Sequence, residues 1–142
     1  MGLFLNTSVI INASKEKVWD ALINPEQIKK YFFGTNAISD WKVGSSLIFK
    51  GVWDGKEYED KGFILELEEG KKLKYSYWSS FSGTEDIPEN YANITYELFE
   101  EKNGIKFSVT QDGFKSVEQK EHSEKNWQAL FGGLKALLEE QS

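Results

Sequence analysis

The chain has no cysteine, no arginine and a single histidine among its 142 residues. Without cysteine there are no disulfides, thiol nucleophiles or thiolate metal sites, and a reducing compartment fits. Without arginine all 17 basic residues are lysines. The planar fork that grips carboxylates and phosphates at two points is therefore missing, which disfavours tight anion clamps. The net charge of −6 argues against nucleic acid, whose backbone demands clustered positive charge. Long apolar runs are also absent, and nothing approaches the roughly 20 residues that span a bilayer. The opening Leu3-Phe4-Leu5-Asn6 carries no basic flank and reads directly into a strand. We therefore expect neither a secretory leader nor membrane association, and a cytoplasmic location. The acidic residues around Asp54 to Asp60 and Glu85 to Glu89 lack the spacing of a calcium loop, and no metal or cofactor is expected.

What the chain does contain is amphipathic pattern. Hydrophobic residues make up 39% and charged residues 28%, a balance that supports one globular domain over residues 1–142 and excludes disorder. Over Val117 to Glu140, Trp127, Leu130, Phe131, Leu134, Leu137 and Leu138 recur at offsets of three and four, forming one stripe of a long helix. Gly132 falls nearly opposite this stripe and Gly133 on its flank. Ser116 and Gln119 resemble a capping box at the helix start. Upstream, Leu3 to Ile11 reads as a strand. Two short helices follow, capped by Ser14 and by Asn24-Pro25, the second running to about Phe33.

From Thr35 the apolar period becomes two. Strands are expected over about 35–39, 45–52, 57–67, 72–79, 92–102 and 105–110, with hairpin turns at Asp54-Gly55 and Asn103-Gly104. In the third of these, Phe63, Leu65 and Leu67 share one face. Phe81 to Tyr91 is the longest loop and a candidate lid. Strands polar on one face belong to an antiparallel sheet with one side wet, so the terminal helix covers the other. The expected fold is α+β: a curved antiparallel sheet of about six to seven strands, two short helices after the first strand, and a long C-terminal helix across the sheet.

Several stretches carry a resemblance. Ala13-Ser14-Lys15-Glu16-Lys17-Val18-Trp19-Asp20-Ala21-Leu22, Asn24-Pro25-Glu26-Gln27-Ile28 and Tyr31-Phe32-Phe33-Gly34 resemble the opening of START-like (SRPBCC, Bet v 1-like) proteins. Within that superfamily they are similar to the branch related to the C-terminal domain of the activator of Hsp90 ATPase. Lys61-Gly62-Phe63-Ile64-Leu65-Glu66-Leu67 and Leu73-Lys74-Tyr75-Ser76-Tyr77-Trp78 fit its central strands. Asn126-Trp127 through Leu138 fit its closing helix, with Asn126 where glycine is commoner. The resemblance implies a helix-grip fold with a cavity between helix and sheet, used by relatives for lipids, sterols, polyketides and other apolar molecules. It also implies, for some relatives, a co-chaperone-like surface for Hsp90.

Aromatic residues form 15% of the chain, and Tyr58, Tyr75, Tyr77, Trp78 and Tyr96 fall on strands. Such rings either fill a core or wall a pocket with hydroxyls that orient a ligand. The leading expectation is a non-enzymatic protein that holds a small apolar or amphipathic molecule, lined by Tyr75, Tyr77, Tyr96, Phe107, Trp127, Phe131 and Leu134. The alternative is an interaction module with an Hsp90-like partner. A monomer or weak homodimer is expected. An enzyme of cyclase or hydrolase type ranks third, because His122 has no evident partner and no paired acid–base arrangement is legible. A buried carboxylate within hydrogen-bond reach of a tyrosine would revive it.

Overall fold

The computed structural model describes residues 3–32, 34–79 and 84–141. Phe33 and Phe81 to Gly83, the last belonging to the expected lid, lie outside the described residues. The element order is β1 (Leu3–Ile11), α1 (Lys15–Ile23), α2 (Pro25–Tyr31), β2 (Asn36–Ser39), β3 (Ser46–Trp53), β4 (Lys56–Glu68), β5 (Lys72–Tyr77), a 3-10 turn (Pro88–Asn90), β6 (Ala92–Glu101), β7 (Gly104–Phe114) and α3 (Val117–Gln141). All neighbouring strands are antiparallel, in the order β1-β7-β6-β5-β4-β3-β2. This is the helix-grip arrangement that the resemblance implies.

Local chemistry sets the boundaries. Ser14 Oγ accepts from the Lys17 amide at 3.2 Å, and Asn24 Oδ1 accepts from the Glu26 amide at 3.0 Å. Each satisfies a donor that a helix start leaves unpaired. Ser116 Oγ accepts from the Gln119 amide at 3.1 Å, while Gln119 Oε1 reaches back to the Lys115 amide at 2.9 Å. At the β3–β4 hairpin, Asp54 and Gly55 both take positive φ, 52° and 77°. That pairing defines the tight turn whose twist matches the strands.

The core lies between the sheet and the three helices. Leu47 and Phe49, Leu73 and Tyr75, Ile94, Tyr96 and Leu98, and Ile105, Phe107 and Val109 point inward from alternate strand positions. Strand β4 departs from the simple alternation. A register shift between Ile64 and Glu66 inserts a bulge, which turns the following side chains over. Ile64 is buried and Leu67 half-buried, while Phe63 and Leu65 face solvent. Phe63, Leu65 and Leu67 therefore do not share a face, because period two fails across a bulge.

Helix α3 packs across the inner face of the sheet, its rings meeting β6 and β7, and is tied to the edge strand β1. Gln128 Nε2 donates to Thr7 Oγ1 at 2.7 Å, Lys135 Nζ to the Ile10 carbonyl at 2.9 Å, and the Asn12 amide to Glu139 Oε2 at 3.0 Å. Lys135 also pairs with Glu139 at 2.6 Å, which with the Asn12 amide holds that carboxyl below its usual range. Trp127, Leu130, Phe131, Leu134 and Leu138 are buried beneath the helix. Gly132 faces open space, and Gly133 lies over Tyr31 of α2.

The glycines predict opposite outcomes. A Cβ at Gly62 would overlap the Ser76 carbonyl oxygen across β4 and β5. Gly62→Ala should therefore cost about 3 kcal/mol or more, as forced overpacking does. At Gly132 there is nothing within 4 Å, and at Gly133 the nearest atom is the Tyr31 carbonyl oxygen at 3.6 Å, an ordinary contact. Gly132→Ala and Gly133→Ala should each stabilise by up to about 1 kcal/mol through helix propensity. Urea unfolding of the three variants checks both signs.

Candidate functional site: a cleft under the start of the long helix

A string of aromatic rings crosses the interior from α2 to α3. Phe32 stacks on Phe49 at 5.5 Å between centroids, and Phe49 tilts against Tyr75 at 6.1 Å. Tyr75 meets Tyr96 edge-on at 5.4 Å, and Tyr96 meets both Phe107 at 5.1 Å and Trp127 at 5.9 Å. Edge-to-face pairs place the positive rim of one ring on the negative face of the next. The Tyr75 and Tyr96 hydroxyls bond to one another at 2.8 Å, and Tyr31 donates to the Ala21 carbonyl at 2.7 Å. The buried phenols are thus satisfied within the protein.

Above this string opens a cleft of about 660 Å³, within the range of small-molecule sites. One wall comes from β4 and β5, with Tyr58, Asp60, Tyr75, Tyr77 and Trp78. The opposite wall comes from the end of β7 and the first half of α3, with Gln111, Lys115, His122, Ser123, Asn126 and Trp127. A second, water-sized void of about 10 Å³ lies deeper, bounded by Leu22, Ile28, Trp41, Tyr75 and Tyr96 among others.

Of the expected lining residues, Tyr75, Tyr77 and Trp127 border the cleft. Tyr96 borders only the deeper void. Phe107, Phe131 and Leu134 are buried at 0–2% exposure in the packed core and do not line the cleft. The reason is the helix position. Its apolar stripe from Leu130 onward sits on the core, and only the turns before it rise over open space.

Two polar pairs fix side chains at the cleft. Trp127 Nε1 donates to Gln111 Oε1 at 2.8 Å, tying α3 to β7. On the other wall Tyr77 donates to Asp60 Oδ2 at 2.6 Å, and Asp60 is only 8% exposed, so the one arrangement that an enzymatic reading calls for, a buried carboxylate bonded to a tyrosine, is present. Burial first, then the Asp60 charge, pushes the Tyr77 phenol well above its usual range. The phenol therefore keeps its proton and donates it in the bond to Asp60. Tyr58 is placed by the neighbouring strand. It faces Gly51 across β3 and β4, where a Cβ would stand 2.5 Å from its hydroxyl, and it bonds Thr35. Asp60 and Gln111 escape the sequence pattern because each occupies an inward strand position with a polar residue. His122, Ser123 and Asn126 were legible only as a polar helix start.

Among the described residues no three His, Asp or Glu side chains converge as a metal site, and no helix is long and apolar enough to cross a membrane.

Residues 12–139 match the family model of activator of Hsp90 ATPase homolog 1-like proteins. The chain belongs to that family. A solved solution structure from Cytophaga hutchinsonii is 47% identical, with a TM-score of 0.84 over 98% of this chain and 95% of that one. A crystal structure of a protein from Chromobacterium violaceum is 22% identical, with a TM-score of 0.78 over 96% of both chains. The Aha1 dimer from Colwellia psychrerythraea is 20% identical, with a TM-score of 0.75 over 96% of both chains. The last two are similar in fold. No curated protein sequence matches.

The phenols carry an alkaline signature. Burial raises Tyr31, Tyr75, Tyr77 and Tyr96 above the ordinary value of 10.0. A group whose folded pKa exceeds its unfolded pKa binds its proton more tightly in the native state. Its contribution is complete below about pH 10 and is lost as pH climbs through the raised folded values. Tyrosinate absorbance from these four should appear only together with loss of near-ultraviolet dichroism. Titration of all six tyrosines near pH 10 in an intact fold would contradict this. Phe107→Ala should cost about 3–5 kcal/mol, as expected of a core ring.

Proposed function

We propose that this family member binds a small, largely apolar molecule in the cleft between the β4–β5 wall and the first half of α3. The observation that carries this reading is the 660 Å³ cleft, walled by aromatic rings and furnished with a few fixed polar groups. Sites for small ligands combine apolar walls with sparse oriented donors and acceptors in this way. Tyr75, Tyr77 and Trp127 make the aromatic contact. Tyr96, Phe107, Phe131 and Leu134 act behind the wall, keeping those rings in place.

A second reading draws on the family description, in which relatives activate the Hsp90 ATPase. It calls for a chaperone partner at the outer surface, and a change in Hsp90 ATPase rate on adding this protein would support it.

The neutral fluorophore N-phenyl-1-naphthylamine tests the cleft. We expect one probe per chain by native mass spectrometry and quenching of tryptophan emission. Trp127→Ala should weaken uptake about tenfold, roughly 1.4 kcal/mol. Ser123→Trp, which projects a large ring into the cleft from α3, should block uptake while leaving the unfolding midpoint nearly unchanged. Uptake indifferent to both substitutions would place the probe elsewhere and defeat the reading.

A further inference from the structure

Most hydrogen-bond donors on the cleft walls are already engaged. Tyr77 gives its proton to Asp60 at 2.6 Å, the Trp78 indole donates to Thr84 Oγ1 at 3.2 Å, and Lys115 Nζ donates to Asn90 Oδ1 at 3.0 Å. Tyr58 is bonded to Thr35. His122, Ser123 and Asn126 border the cleft from α3, and their side chains make no hydrogen bond among the described residues. Nothing holds these three in one rotamer, so fixing one of them on a ligand costs entropy.

Gln111 differs from all of them. It follows Ile105, Phe107 and Val109 at inward positions of β7, between Leu5 of β1 and Ile94 of β6, both 2% exposed. Its half-buried amide accepts from Trp127 Nε1 at 2.8 Å. An indole nitrogen can only donate, so this bond decides which way the amide turns: the oxygen goes to Trp127 and the nitrogen away from it. Gln111 borders the cleft, and its two N–H groups have no partner among the described residues. Apolar neighbours on both sides strengthen any hydrogen bond made there. The cleft thus holds a donor that is oriented before any ligand arrives.

The chemistry of that donor selects its partner. An amide N–H is neutral and offers a carboxylate or phosphate no counter-charge, and the chain has no arginine to supply one. It offers an ammonium no lone pair. A carbonyl oxygen asks only for the donor, and its carbon can continue into an apolar body between aromatic walls.

We infer that the cleft takes a neutral carbonyl compound, a ketone, ester or lactone, whose oxygen accepts from Gln111 Nε2 while its apolar body lies against Tyr75, Tyr77 and Trp127. The inference rests on the binding reading above and names its ligand class.

Three probes of matched shape decide it: 2-acetylnaphthalene, its carbon isostere 2-isopropenylnaphthalene, and 2-naphthoate. Affinities come from displacement of N-phenyl-1-naphthylamine. Gln111→Glu keeps an acceptor for Trp127 and replaces the two N–H groups with an oxygen. It should lower the affinity for the ketone about tenfold relative to the isostere, and the naphthoate should bind more weakly than the ketone to the unaltered protein. In proton–nitrogen NMR spectra of the unaltered protein, the Gln111 side-chain amide should move downfield with the ketone and not with the isostere. A ketone-to-isostere ratio unchanged by Gln111→Glu overturns the inference, as does a Gln111 amide shift equal for the two probes, or a naphthoate that binds tighter than the ketone. Each of these leaves cleft binding standing. Failure of N-phenyl-1-naphthylamine itself to bind defeats the binding reading and this inference with it. Should Gln111→Glu fail to fold, the Gln111 amide shift on the unaltered protein decides by itself.

Discussion

The attachment of α3 to the edge strand β1 is the constraint on which the rest of the molecule depends. Gln128, Lys135 and Glu139 bind Thr7, the Ile10 carbonyl and the Asn12 amide at three successive levels of the helix. An edge strand presents unpaired polar backbone, and a helix laid against it protects that edge from pairing with other chains. The same bonds hold the second half of the helix down while Trp127, Leu130, Phe131, Leu134 and Leu138 seal the core. The first half has fewer ties. Its Trp127–Gln111 bond to β7 sets the height at which it stands above the sheet. A helix fixed along one side and supported at one point near the other leaves a wedge of space, and that wedge is the cleft.

The aromatic string below the wedge explains why the space does not collapse. Rings meeting edge-to-face at 5–6 Å between centroids form a stiff layer, since each is confined by the next. The Tyr75–Tyr96 hydroxyl pair satisfies two polar groups inside that layer, so neither needs to turn toward the cleft for water. Below the layer lies ordinary core. Above it the polar residues Asp60, Gln111 and Asn126 stand where an apolar side chain would otherwise fill the gap. The division between packed and open interior therefore runs along the tyrosines, not along the helix.

Much of this was legible in the chain, and the misses share one cause. Period-two runs, the Asn103-Gly104 and Asp54-Gly55 turns, and the Ser14, Asn24 and Ser116 caps lead directly to the observed elements, because each rests on local backbone chemistry. The strand over 57–67 was found, but the facing of Phe63 and Leu65 was not, because a bulge is a tertiary accommodation with no residue signature here. The aromatic residues read as core or pocket without being separable. Tyr75 and Phe107 look alike in sequence, yet one borders the cleft and the other lies wholly beneath it. One signal was present and unread. The helix begins at Val117, but its apolar stripe begins only at Trp127. Stepping back from Leu130 by threes and fours gives Trp127, Asn126, Ser123, His122 and Gln119, so the inward face continues while its chemistry turns polar. Ten residues of helix without an apolar face cannot be sealing a core.

That change of chemistry along one helix face separates the residues that border the cleft from those that hold the helix in place. The residues that hold α3 to β1 lie in its second half or just before it, and those that meet the cleft lie in its first half and on β4 and β5. The two sets share no members, although Trp127 and Leu130 both border the cleft and help seal the core. Substitutions at Asp60, Tyr58, Ser123 or Asn126 therefore change the lining of the cleft, with the core ring string and the β1 attachment intact. A 20%-identical relative keeps the fold at a TM-score of 0.75, as expected when architecture is carried by a minority of positions.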